Sequence, residues 1–252
     1  PAAARAAGGT GGAGLPWSHG GAVAAAVGKV FFTLGRADYV CSGTLAGSGQ
    51  TDVVVTAAHC VSGGPARKSA KAAGEWATNW LFVPGYRDGM MPEGEYTARR
   101  FFVPVQWAGP QGGTEQYDVA FVQLTVAAQD ASGRAARLPH GFPLRFAAQQ
   151  NAGAPAQAYV FGYPAEPPYS GLYADFCAGP AAAAGGSVRT ACSMTAGDSG
   201  GPWLAGFSPR SGAGQVFAVT TYKLSTSTRE LYGAVLGPRA RALYDRAVST
   251  AR

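Results

Sequence analysis

Ser199, set between glycines in Gly197-Asp198-Ser199-Gly200-Gly201, is the residue of this sequence best placed to attack a carbonyl. A hydroxyl is a weak nucleophile at neutral pH and needs a base within hydrogen-bond reach. The histidines are His19, His59 and His140. Of these, His59 lies in Thr56-Ala57-Ala58-His59-Cys60, directly after the apolar run Val53-Val54-Val55. An acid, Asp118, heads the strand-like run Val119-Ala120-Phe121-Val122. An alcohol, an imidazole and a carboxylate are the parts that nucleophilic acyl transfer requires. Glycine lets the backbone turn sharply and approach a substrate closely. The N–H groups of Gly197 and Ser199 are therefore the candidates to hold the negative charge that develops on the attacked oxygen.

The stretches Thr56–Cys60, Asp118–Ala120 and Gly197–Pro202 stand in that order along the chain. They resemble the chymotrypsin/trypsin-like serine peptidases, which carry TAAHC, D-(I/V)-A and GDSGGP in sequence. The resemblance spans roughly residues 22–245. It implies an all-β fold of two six-stranded antiparallel β-barrels with a C-terminal helix. It also implies peptide-bond hydrolysis through an acyl-enzyme, with Ser199 as nucleophile, His59 as base and then acid, and Asp118 orienting the imidazole. The family's first disulfide carries over to Cys41 and Cys60, pinning His59 at the end of its strand. The resemblance divides the chain into a mobile arm (1–21), a first barrel with His59 and Asp118 (22–130), a second with Ser199 (131–237) and a helix (238–252). Val27 to Thr33, Trp80 and Pro84-Gly85-Tyr86 look like secreted bacterial glutamyl-endopeptidase relatives.

A rival reading fails on chain order. Gly197 to Gly201 also fits the G-x-S-x-G elbow of α/β-hydrolases, whose histidine follows the serine. No histidine follows Ser199.

By the family pattern, the pocket for the residue before the scissile bond is bounded by Ser193, Met194 and Thr195, by Thr220, Thr221, Tyr222 and Lys223, and by the run near Tyr232-Gly233. Ser193 is expected at its base. A buried cation wants a carboxylate partner, so a serine there argues against lysine or arginine substrates. Thr220 stands where glutamyl endopeptidases have histidine, which argues against strict glutamate specificity. A neutral apolar or aromatic side chain is expected instead. Asp198 needs a partner if buried, and an internal arginine or backbone N–H groups are expected to supply it.

Composition fits this picture. Hydrophobic residues make up 47% of the 252, enough for a large core, whereas charged residues are only 13% and Gly and Pro are abundant. Many short strands joined by turns suit that balance better than long helices. The net charge of +6 comes from scattered arginines and lysines, with no basic tract interleaved with aromatics to suggest nucleic acid. The four cysteines, Cys41, Cys60, Cys177 and Cys192, lack C-x-x-C spacing and read as two disulfides rather than a zinc site. Disulfides imply an oxidising compartment, and no apolar stretch is long enough to span a bilayer. The expectation is a processed, secreted monomer acting on polypeptides, with no cofactor, no metal, and no nucleic-acid or membrane partner.

The remaining elements follow from pattern. Val27–Leu34, Tyr39–Leu45, Asp52–Thr56, Asn79–Tyr86, Gly94–Ala98, Asp118–Thr125, Ala156–Tyr163, Pro202–Gly206, Gln215–Tyr222 and Leu231–Leu236 read as strands, and Phe101–Trp107 brings the chain towards Asp118. Ser62–Gly74 and Ala178–Ser187 read as loops of small residues, Ala127–Pro143 as the crossover between barrels, and Pro238–Val248 as a helix. His19 and His140 are expected to be non-catalytic. Two other functions share these motifs: an esterase or amidase with the same nucleophile, and a non-enzymatic binding protein, which would usually lack a member of the triad.

Overall fold

The computed structural model describes residues 11–49, 51–64, 74–109, 113–126, 137–149, 154–223 and 229–250. The expected surface loop at 62–74 and the expected crossover at 127–143 lie mostly outside them.

Six strands form the first barrel: β2 (Val27–Leu34), β3 (Ala37–Leu45), β4 (Val53–Thr56), β5 (Thr78–Pro84), β6 (Tyr96–Phe102) and β7 (Ala120–Thr125). They close in the order β2-β3-β4-β7-β6-β5, all neighbours antiparallel. The run Val53-Val54-Val55 is apolar at every position because β4 is buried along its whole length. The strand expected over Gly94–Ala98 is β6, which starts at Tyr96 and runs on to Phe102.

The second barrel is built from β8 (Gln157–Gly162), β9 (Asp175–Ala184), β10 (Ser187–Ala191), β11 (Pro202–Ser208), β12 (Ala213–Tyr222) and β13 (Glu230–Val235). Its strands run β9-β10-β13-β12-β11-β8, and β8 pairs with β9 to close it. One expectation is corrected here: Ala178–Ser187 is not a loop but most of β9 and the turn into β10. Ala184 pairs with Ser187 across Gly185-Gly186, both at positive φ. A two-residue turn with positive φ at both positions matches the twist of an antiparallel pair. Pairing with β8 and β10 holds alanines in a strand that their own propensity disfavours.

Part of the expected N-terminal arm is tied down. Leu15–Pro16 form β1, which pairs with Phe176 and Asp175 of β9. Trp17 packs edge-on against Phe161, Phe176 and Phe207. The ring of His19 rests 4.8 Å from that of Trp17, and His140 is exposed. A short helix, α1 (Ala22–Ala26), leads into β2.

The C-terminal helix, α2, covers Pro238–Ser249. Pro238 has the φ a first turn needs and no N–H to waste there. Ala240, Leu243 and Ala247, spaced three and four apart, form its buried face. Tyr244 lies against Phe121 of β7 and against Phe146. None of the helices among the described residues is long and apolar enough to cross a membrane.

Two disulfides staple the fold: Cys41–Cys60 and Cys177–Cys192. The second closes a 15-residue separation between the start of β9 and the segment before Ser199. Constraint of the unfolded chain by a loop of that size is worth about 3 kcal/mol. Replacing both cysteines by alanine is expected to lower the calorimetric melting midpoint by roughly 6–12 °C. A shift below about 2 °C would mean that the barrel alone holds this region.

Candidate active site

His59 sits in a one-turn 3-10 helix, Ala58–Cys60, directly after β4. Asp118 follows a second such turn, Glu115–Tyr117, and precedes β7. Thr56 of β4 pairs with Ala120 of β7, so the two strand ends bring these residues together across 59 positions of sequence. The imidazole Nδ1 lies 2.7 Å from Asp118 Oδ2, and the His59 backbone N–H donates to Oδ1 at 2.9 Å. The hydroxyl of Thr221, on β12, donates to the same Oδ2. Asp118 is 1% exposed, so these three donors stand in for the water it has lost. A carboxylate can only accept here, which places the His59 ring proton on Nδ1 and leaves Nε2 free to take one.

Burial pulls the His59 pKa down, but the Asp118 charge, its hydrogen bond and the more distant Asp198 charge outweigh it, and the net direction is up. The protonated form of His59 is thus stabilised by its surroundings.

Ser199 lies on an irregular segment between β10 and β11. Two barrels meet on it. Ser42 of β3 donates its backbone N–H to the Ser199 carbonyl at 2.7 Å, and Gly200 donates to the carbonyl of Thr220 at 2.8 Å. The Ser42 hydroxyl accepts from Tyr163 N–H and donates to the Gly197 carbonyl, both at 2.8 Å. Gly197 holds φ 103°, and a Cβ there would fall 2.5 Å from the carbonyl oxygen of Tyr163. At Gly200, with φ 79°, a Cβ would land on Thr56 Oγ1 and Ser42 O. Both glycines are therefore obligatory for this turn.

Asp198 is buried, and burial raises its pKa to about 7, against the opposing pull of Lys223 and His59. An arginine or backbone N–H groups were expected to partner it, and a backbone N–H does hydrogen-bond to it. The cation that acts on it most is Lys223 rather than an arginine, and Asp198 Oδ2 has no hydrogen-bond partner among the described residues. Because the folded pKa lies above the unfolded one, this group's contribution to stability is greatest at acid pH. It declines as pH rises through about 7.

The expected pocket residues divide. The Ser193 and Tyr169 hydroxyls share a hydrogen bond at 2.5 Å, and Ser193 Oγ also accepts from Gly14 N–H at 3.1 Å. Met194 is fully buried in the second barrel's core. Thr195 exchanges hydrogen bonds with the backbone of Glu166 at 3.0 and 3.2 Å. Thr220 accepts from the indole N–H of Trp203 at 3.0 Å, and Trp203 packs where a side chain on Gly233 would stand. Tyr222 stacks on Tyr232, with ring centroids 4.8 Å apart. Lys223 is half-buried. Thr221, expected at the pocket, spends its hydroxyl on Asp118 instead. Sequence reasoning also missed Ser42, which follows Cys41 directly, and Tyr169, whose Pro-rich surroundings carry no signal of a site.

Cys41, His59 and Cys60 lie close enough to suggest a metal site, but both sulfurs are in the disulfide. A disulfide sulfur carries no thiolate, which is the form that ligates metal.

A family profile described as the trypsin-like peptidase domain matches residues 41–206. Among solved structures, the protease Anisep of Arthrobacter nicotinovorans is 32% identical, with 89% of this chain and 96% of that one covered and a TM-score of 0.73. The thermostable serine protease AL20 from an extremophilic microorganism is 27% identical over 91% and 99%, with a TM-score of 0.75. A Glu endopeptidase at 16% identity, covering 93% and 95% with a TM-score of 0.68, shares the fold. No curated protein matches the chain. The chain belongs to the trypsin-like peptidase domain family and is a serine endopeptidase.

Proposed function

We propose that this peptidase is secreted and cleaves polypeptides through an acyl-enzyme formed on Ser199. His59 takes the hydroxyl proton as Ser199 attacks the scissile carbonyl, then gives it to the leaving amine. Asp118 keeps the imidazole in the tautomer with Nε2 free. The N–H groups of Gly197 and Ser199 hold the tetrahedral oxyanion. The observation that carries this reading is the doubly held His59: Asp118 grips both its Nδ1 and its backbone N–H, at 2.7 and 2.9 Å. Such a grip orients a base rather than merely satisfying a core histidine. Water completes the cycle by attacking the acyl-enzyme carbonyl, with His59 again as base.

The residue before the scissile bond is proposed to be neutral, apolar or aromatic. Ser193 offers no carboxylate and its hydroxyl is already engaged, while Thr220 is engaged by Trp203. These features favour neither a lysine or arginine side chain nor strict selection of glutamate. The two disulfides support an oxidising, extracellular location.

A serine-directed fluorophosphonate is expected to label one residue per chain, Ser199, identified by peptide mass spectrometry. Labelling elsewhere, or none, would end the assignment. A digest of denatured proteins, read at both sides of every cut, tests the pocket. Cuts confined to lysine, arginine or glutamate would refute the proposed preference, and turnover of small esters without any peptide cleavage would favour an esterase. The raised His59 pKa sets a further expectation. The base works only when neutral, so kcat/KM is expected to fall with acidification, with its midpoint above pH 6.5. A midpoint below 6.5 would contradict the charge environment described for His59.

A further inference from the structure

Lys29 is a buried cation that the acyl-transfer chemistry leaves unused. It stands on β2 in the first barrel and is 6% exposed. Its Nζ donates to the carbonyl of Gly171 at 2.6 Å and lies 4.9 Å from the ring centre of Tyr86 and 5.1 Å from that of Phe31. An ammonium loses much of its hydration at such a site, and aromatic faces and one carbonyl replace it. Its pKa is lowered by burial, as expected for a desolvated ammonium.

Gly171 belongs to the connection between β8 and β9, residues 163–174, on the second barrel. That connection is the support of the segment before Ser199. Ala165 N–H donates to the carbonyl of Ala196 at 2.7 Å. Glu166 and Thr195 exchange two hydrogen bonds, and Tyr169 holds Ser193. Gly197 packs against Tyr163 and Ala165 so closely that a Cβ would not fit. The segment 192–201 has no strand of its own, so its position depends on these contacts. Lys29 fastens the far end of the connection to the first barrel, next to a second tie from Asp88 N–H to the carbonyl of Leu172 at 2.9 Å.

We infer that Lys29 is a positioning residue for acyl transfer: by gripping Gly171 it fixes the 163–174 connection and, through it, the N–H of Gly197, without touching substrate. The inference rests on the proposed roles of Ser199 and Gly197. Small displacements of an oxyanion donor cost rate more than affinity, because the oxyanion exists only after attack.

The test compares wild type, Lys29→Met and Lys29→Gln by the rate and concentration dependence of fluorophosphonate labelling, with thermal melting in parallel. Lys29→Met is expected to slow the maximal labelling rate about 10-fold and to move the half-saturating concentration by less than about threefold. Its melting midpoint should stay at or above that of wild type, since an apolar chain of similar length removes a buried charge. Lys29→Gln keeps a donor for Gly171 and should recover most of the rate. Lys29→Met labelling within twofold of wild type would overturn the inference, as would a rate loss matched by a lower melting midpoint and not relieved by glutamine. Should Lys29→Met fail to fold, Gly171→Ala displaces the same contact from its other end: at φ 66° an added Cβ would meet Ala165 Cβ at 2.9 Å and Lys29 Nζ at 3.1 Å. A folded Gly171→Ala that labels at the wild-type rate would overturn the inference. Wild type that does not label at Ser199 overturns the proposed triad and this inference with it. Wild type that labels, beside a Lys29→Met that labels equally fast, overturns this inference alone.

Discussion

Ser199→Ala is expected to lower kcat/KM on a denatured protein substrate by about 10⁵–10⁶-fold and to abolish fluorophosphonate labelling. In the proposed mechanism the size follows from the loss of the one atom that forms the covalent intermediate. On that mechanism, what would remain is the catalysis by the proposed oxyanion donors and by binding, about 10³–10⁴ over water. The fold should be unaffected. Ser199 is anchored by its backbone, through Ser42 N–H to its carbonyl, and alanine preserves that bond. The melting midpoint is therefore expected to move by less than about 2 °C. Activity within tenfold of wild type in the alanine variant would assign the nucleophile elsewhere.

Asp118→Asn is expected to lower kcat about 10⁴-fold while KM changes little, since in the proposed mechanism Asp118 acts through His59. Its carboxylate accepts three hydrogen bonds: from His59 backbone N–H at Oδ1, and from His59 Nδ1–H and Thr221 at Oδ2. An asparagine has one carbonyl oxygen and an NH2 group in place of the two oxygens. If the NH2 took the Oδ1 position it would face a backbone N–H, donor against donor, in a buried site. If it took the Oδ2 position it would donate to Nδ1. The ring proton would then move to Nε2, which faces the nucleophile in the proposed mechanism and could no longer accept. The second arrangement costs less, because Thr221 can turn its hydroxyl to suit. Nitrogen chemical shifts of the His59 ring in the two proteins report the tautomer directly. An unchanged tautomer with full activity would show that Asp118 does not set the imidazole's state.

The second barrel's departure from expectation has one cause. Ala178 to Ser187 reads as a loop because alanine and glycine have neither the bulk nor the branching of strand residues. Strand β9 nevertheless forms along it, because β8 and β10 lie on either side to complete its hydrogen bonds. The Gly185-Gly186 pair between them was a legible hairpin signal. In the first barrel, where Val, Phe and Thr alternate or run together, the bounds of β2 coincide with those expected from pattern. Helix α2 was equally legible, since Pro238 at its start and the apolar Leu243 and Ala247 are local features.

By itself, the sequence determined which chemical groups are present, in what order, and where turns and apolar runs must bring the chain back on itself. Those properties depend on neighbours within a few residues, so they can be read in one dimension. The tertiary structure alone decided which polar groups meet. Thr221 reaches Asp118 across 103 residues, Ser42 bridges Tyr163 and Gly197 from the other barrel, and Lys29 closes on Gly171 across 142. Such contacts follow from which strands become neighbours when the barrels close. A buried donor finds its acceptor in the strand or loop beside it, and that adjacency leaves no periodic trace along the chain.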